Sequence, residues 1–161
     1  MLEGIDAART AGLAPIKVNV VVQRGLNDHT VPELLQRFRH TGVIVRFIEF
    51  MPFDGNNWQL DKVFSFSEIL SDISKHTEFE KLKDKPNSTA KSFRVLGGEG
   101  TFAVISTVTE NFCSSCNRIR LTADGKLVYI DKEIVSQATE GSRASNKEIL
   151  EWMKNPSKKE E

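Results

Sequence analysis

The chain has 161 residues, 39% of them hydrophobic, which suits one ordinary domain and lies far from the composition of a disordered segment. Its 22 basic and 22 acidic residues cancel to a net charge of +0, which argues against nucleic-acid binding driven by bulk charge. No apolar run approaches the roughly 20 residues of a membrane helix, and two cysteines are too few for a disulfide scaffold.

In chain order, the opening "MLEGIDAARTAGL" carries an acidic pair and no apolar stretch of signal type, so neither a secretory signal nor an Arg-rich transit segment is visible. Gly4 to Gly12 suits a short helix that ends at glycine. "IKVNVVV", Ile16 to Val22, is an almost unbroken β-branched run and predicts a strand buried on both faces, the habit of parallel sheets. A helix follows, with Thr30 and Glu33 at capping-box spacing and Gly42 as its stop. "VIVRFIEF", Val43 to Phe50, predicts a second strand of the same kind. This β-α-β order implies a parallel pair with a crossover helix.

"MPFDGNNW" is a turn-rich loop placed directly after that strand, where open α/β sheets and barrels bind ligands. "FSFSEILSDISKH" is a further helix, with Ser65 and Glu68 in capping-box register. Beyond a polar connection the pattern changes. "SFRVLGGEGTFAVISTVT" reads as a hairpin about a glycine turn, and "RIRLTADGKLVYI" as a second about Asp124-Gly125. From Asp131 the chain is polar, with one short helix expected behind Ser145 and a disordered end. The expected class is α/β: a partial parallel (β/α) barrel segment followed by a C-terminal antiparallel β-hairpin extension. Two parallel strands with two apolar faces do not make a stable sheet alone, so the first half reads as a piece of a larger barrel or sheet.

Cys113 and Cys116 have the Cys-x-x-Cys spacing that lets two sulfurs converge on one soft metal; structural thiols or redox use are the alternatives. Arg118 and Arg120 flank Ile119 on a predicted strand and point to one face. They suit either a phosphate or separate carboxylates on a solvated edge. Lys17 and Arg46 lie in strands that otherwise read as buried, where a charge is costly unless paired or bound. Ion pairing with Glu49 or another acid and ligand binding both stay open. Glu49 and Asp54 read as structural carboxylates, and His29, His40 and His76 as surface residues, although one histidine could complete a zinc site. Met51 follows the second strand, either packing as a gap filler or touching a ligand.

"KVNVVVQRGLNDHTVPELL", "VRFIEFMPFDGNNW", "STAKSF" and "FCSSCNRIRLTADGKL" together resemble the second half of the GTP 3′,8-cyclases, radical S-adenosylmethionine enzymes of molybdenum cofactor biosynthesis, in their eukaryotic form. The likeness runs from about Gly4 to Leu127. It implies the C-terminal part of an incomplete α/β barrel over 1–80, an antiparallel extension carrying an iron–sulfur and GTP site over 81–130, and a divergent polar tail over 131–161. In that family an N-terminal CxxxCxxC motif holds a 4Fe–4S cluster that cleaves S-adenosylmethionine, and a second 4Fe–4S cluster, held by three cysteines, binds GTP. By resemblance Cys113 and Cys116 are two ligands of the second cluster. Lys17, Arg46, Arg118, Ile119 and Arg120 belong to the GTP site, and Met51 touches S-adenosylmethionine.

Two departures shape the expectation. Ile130 stands where the family's third cysteine falls, and the chain's two cysteines cannot supply the radical-cluster motif. The chain is therefore expected to serve molybdenum cofactor biosynthesis as a truncated, GTP-binding, cyclase-like chain without radical chemistry of its own. Its alternatives are a non-catalytic binding module, a small zinc protein, and a mis-spliced product without a stable fold. Expected partners are GTP and either a full-length cyclase subunit or a second copy of the chain, with no nucleic acid and no membrane. The resemblance implies a mitochondrial location.

Overall fold

A computed structural model of the chain describes residues 2–52 and 56–110, together with the backbone of 120–121 and 127–128. Helix α1, Leu2–Thr10, leads into strand β1, Lys17–Val22; α2, Thr30–Phe38, then crosses to β2, Ile44–Glu49. A loop with a 3-10 turn at Leu60–Lys62 precedes α3, Phe66–Ser74. Three further strands follow: β3, Phe79–Lys81; β4, Lys91–Val95; and β5, Thr101–Ile105. A separate two-stranded sheet pairs β6, Arg120–Leu121, with β7, Leu127–Val128, antiparallel. Asp124-Gly125 and the polar tail from Asp131, with its expected helix, lie outside the described residues.

The five-stranded sheet has the order β1-β2-β5-β4-β3. β1 runs parallel to β2 and β2 parallel to β5, whereas β4 is antiparallel to both β5 and β3. A parallel neighbour requires a crossover, and α2 supplies it between β1 and β2. The sheet is therefore mixed and the class α/β, as the chain pattern predicts.

Both α2 and α3 pack on one face of this sheet. Val31, Leu35 and Phe38 of α2 and Ile69 and Ile73 of α3 meet Val45, Phe47, Phe102 and Val104 in one buried cluster. Phe93 stacks on Phe102 at 5.0 Å, and Phe79 meets Phe102 edge-on at 5.3 Å. Burying such side chains contributes about 1.5–3 kcal/mol each.

The second face differs from expectation. β1 and β2 are not buried on both sides. Along β1, Lys17, Asn19 and Val21 are exposed, Val21 to 48%; along β2, Ile44, Arg46 and Ile48 are half-buried. Only at β5, with Ala103 and Ile105, is this face buried. The β-branched run makes a strand, but among the described residues no layer covers this side of it. β1 is also an edge strand.

The helix starts divide in the same way. Ser65 and Glu68 form the predicted capping box. Thr30 and Glu33 do not: α2 begins behind His29, whose helical backbone offers no side-chain cap. The Thr30 hydroxyl turns back to donate to the Asn27 carbonyl at 2.7 Å. Asn27 organises this turn, accepting from Gln23 N at 2.7 Å and donating to Val21 O at 2.9 Å. Such local hydrogen bonds compete with a regular cap.

Candidate functional site

Strand alternation selects what the second face presents. Lys17 lies opposite Ile44, and Asn19 opposite Arg46, in the β1–β2 register; Ala103 of β5 flanks Arg46 on the other side. Lys17 and Arg46 are thus diagonal neighbours on one face, a spacing of about 7–8 Å between backbones that long side chains bridge readily. Two cations so placed favour an anion between them. Arg46 carries a second signal: its Nε is buried and has no hydrogen-bond partner among the described residues. A buried unpaired donor costs about 1–3 kcal/mol, so an acceptor supplied by a ligand would be stabilising.

Glu49 is not the counter-ion. Alternation sends it with Val45 and Phe47 to the helix-covered face, where it is 0% exposed. Its Oε1 accepts Phe66 N at 2.7 Å, at the start of α3, and also the Thr109 hydroxyl. Its Oε2 accepts Val108 N at 2.8 Å and Thr109 N at 3.0 Å. Among the described residues, neither Lys17 nor Arg46 enters an ion pair. The sequence reads Glu49 as a structural carboxylate, and so it is; what sequence reading missed is which segments it holds. Its only advance signal is a carboxylate at the last position of an apolar strand.

The loops at the carboxyl ends of β1, β2 and β5 are drawn together. Arg24, just past β1, donates to both Glu68 oxygens at 2.7 Å and to Val63 O at 2.9 Å, while Arg24 N reaches Lys62 O at 2.8 Å. Burial works against the charge on Glu68. The Ser65 hydroxyl, the Arg24 guanidinium and the Ser65 N–H outweigh it and hold the carboxyl below its usual range. Past β2, Phe50, Trp58, Val63 and Val108 make a second buried cluster with Met51 half-buried against it. The Trp58 indole donates to Phe50 O at 2.8 Å, and the Asn56 amide to Met51 O at 2.9 Å. Met51 therefore packs as a gap filler and also stands at the carboxyl end of β2. A cavity of about 260 Å³ lined by Arg9, Leu13, Pro15 and Val43 sits at the amino ends of β1 and β2, away from these loops.

Cys113, Cys116, Arg118, Ile119 and Asp54 lie outside the described residues, and Arg120 is described only as backbone of β6. Among the described residues, no three His, Cys, Asp or Glu side chains gather as a metal site, and no helix is long and apolar enough to cross a membrane. His29, His40 and His76 are exposed, as read from the sequence.

Comparison with known proteins gives a consistent result. The Molybdenum Cofactor Synthesis C family matches residues 43–151. The chain is 39% identical over 154 residues to molybdenum cofactor biosynthesis protein 1 of Bos taurus, covering 93% of the chain and 24% of that protein. It is 41% identical over 126 residues to the mitochondrial GTP 3′,8-cyclase of Arabidopsis thaliana, covering 78% and 32%. With the GTP 3′,8-cyclase of Thermodesulfovibrio yellowstonii it shares 39% over 155 residues, covering 94% and 48%. The chain thus spans about a quarter to a half of the length of these relatives.

Proposed function

The chain belongs to the Molybdenum Cofactor Synthesis C family, and from that premise we propose that it serves molybdenum cofactor biosynthesis as the GTP-side portion of a GTP 3′,8-cyclase. The observation that carries this reading is the diagonal placement of Lys17 and Arg46 on the sheet face that no described layer covers, with an Arg46 Nε that is buried and has no hydrogen-bond partner among the described residues. That face suits a polyanionic ligand, and a nucleoside triphosphate supplies the charge. Arg118, Ile119 and Arg120 complete the GTP site in this reading, and Met51, at the carboxyl end of β2, contacts S-adenosylmethionine.

Cys113 and Cys116 are the two thiolates offered to the second 4Fe–4S cluster. The donor set does not fit that cluster fully. The family site takes three cysteines, and Ile130 has no lone pair to offer a metal. The chain also has no thiols left for the cluster that cleaves S-adenosylmethionine. The 161 residues alone are therefore a GTP-binding unit without radical chemistry, and appearance of 5′-deoxyadenosine in an anaerobic assay of this chain would overturn that part.

In this reading residues 1–80 are a segment of a parallel (β/α) barrel whose interior is the uncovered face. Residues 81–130 are its extension, antiparallel at β4 but joined to the barrel segment through β5, which runs parallel to β2, and 131–161 a divergent tail. The exposed edge of β1 supports a second chain as partner, either a full-length cyclase or another copy. The plant relative's name supports a mitochondrial location.

Titration calorimetry with GTP tests the core of the proposal. Removing a charge-assisted contact costs about 1.5–3 kcal/mol, so Arg46→Gln should weaken GTP binding roughly 10- to 100-fold. Lys17→Gln, at an exposed position, should cost less. Equal affinity in the wild type and Arg46→Gln would sink the GTP-site reading.

A further inference from the structure

An arginine carries its N–H donors in one rigid plane and can hold several acceptors at once, which a lysine ammonium on a flexible stem does not. Arg24 spends that capacity on one short segment. It lies two residues past β1, and Gln23 before it pairs with Val63 in an antiparallel bridge. Its Nε donates to Asp61 O at 3.1 Å, its Nη2 to Val63 O at 2.9 Å, and its backbone N–H to Lys62 O at 2.8 Å. The carbonyls of residues 61, 62 and 63 are thus held by a single residue. The guanidinium also meets both Glu68 oxygens at 2.7 Å, at the start of α3, and lies 5.5 Å from the Phe64 ring centre.

Val63 decides what this fixes. Its backbone is pinned to the end of β1 by Gln23 and Arg24, and its side chain is buried with Phe50, Trp58 and Val108 in the cluster against which Met51 packs. The cluster has bonds of its own, from the Trp58 indole to Phe50 O and from the Asn56 amide to Met51 O. Those bonds shape the segment internally, whereas Arg24 and the Gln23–Val63 bridge tie it to β1. The exposed ion pair with Glu68 contributes little by itself. The bonds to the carbonyls do not depend on that pair.

We propose that Arg24 is a positioning residue for Met51: it fixes Val63 against the end of β1 and so sets the apolar wall on which Met51 packs at the carboxyl end of β2. It acts through Val63 and touches no ligand itself. That this serves S-adenosylmethionine binding rests on the reading of Met51 as its contact; that Arg24 sets the place of Met51 does not.

The test uses the full 161-residue chain. Arg24→Lys keeps the charge and loses the planar fork, and Arg24→Gln stands in for it if it does not fold. Glu68→Gln removes the charge partner and leaves the carbonyl bonds. The Met51 methyl resonance, in protein grown on methyl-labelled methionine, and exchange of the Trp58 indole N–H report on the cluster; amide exchange at Phe47 and Val104 reports on the main core. In Arg24→Lys the indole should exchange about tenfold faster or more, and the Met51 methyl should move towards the position of an exposed methionine, with the controls unmoved. In Glu68→Gln both signals should stay near the wild type. S-adenosylmethionine should shift the wild-type Met51 methyl, and its affinity should fall about tenfold in Arg24→Lys while that for GTP stays within about twofold. A folded Arg24 variant with wild-type Met51 and indole signals, or one whose controls loosen equally, would overturn the proposal, as would equal loss of both ligands. A wild type whose Met51 methyl ignores S-adenosylmethionine removes the ligand reading, and the methyl and indole signals of the Arg24 variant then decide the positioning role.

Discussion

Glu68 shows how a single side chain couples two loops to pH. Its carboxylate caps α3 through Ser65 and accepts Arg24 from beyond β1. Its pKa is depressed in the fold, so its contribution to stability is fully present above the unfolded carboxylate value of about 4.3 and is lost as pH falls through the lower folded value. Urea midpoints of the wild type and Glu68→Gln should differ most at neutral pH and converge as pH drops below about 4. A gap that stays constant from pH 3 to 7 would show that the charge is not what stabilises. Arg24 and Glu68 are both well exposed, so solvent screens much of their attraction. At this scale the Ser65–Glu68 pair was legible because a capping box is local. The Thr30–Glu33 spacing misled because Asn27, three residues upstream, takes the Thr30 hydroxyl. That Glu49 is structural was legible, but what it holds was not, since its donors sit 17, 59 and 60 positions away.

Elements meet tightly where the glycine turn between β4 and β5 abuts the end of α2. Gly100 N donates to Arg39 O at 2.7 Å, and a Cβ at Gly100 would lie 2.7 Å from Arg39 Cα. Gly100→Ala must therefore move backbone, and overpacking of this kind costs about 1–3 kcal/mol. Chemical denaturation should show that loss with an unchanged m-value; a change within error would mean that the turn yields freely. Ser65→Ala removes the acceptor for Glu68 N and should cost about 1 kcal/mol, read in the same way. "GGEG" announces a turn through its composition, yet nothing in it names Arg39 as the surface that requires glycine. Tertiary contact supplied that reason.

At the scale of the whole molecule, the sheet face that no described residue covers and the edge of β1 dominate. An exposed parallel edge beside exposed Val21 is a template for association. Sedimentation velocity should show concentration-dependent self-association of the wild type, and Val21→Lys should shift it to monomer. At an exposed site that substitution should alter folding stability by no more than about 0.5 kcal/mol. A wild type that remains monomeric at every concentration would refute the association, leaving a full-length cyclase as the partner to test.

Periodicity and punctuation in the chain determined the β-α-β order, the α/β class, the helix over Phe66–Ser74 and its cap. They also placed Lys17 and Arg46 on strands and Met51 after one. All of these depend on residues a few positions apart, where propensity and spacing act directly. The fold alone decided that β5 lies between β2 and β4. It also decided that Lys17 and Arg46 share the uncovered face and that Glu49 is spent on the β5 loop and α3 rather than on either cation. Those outcomes depend on register and on which strand a distant segment joins, and a shift of one residue in register would have reversed every face.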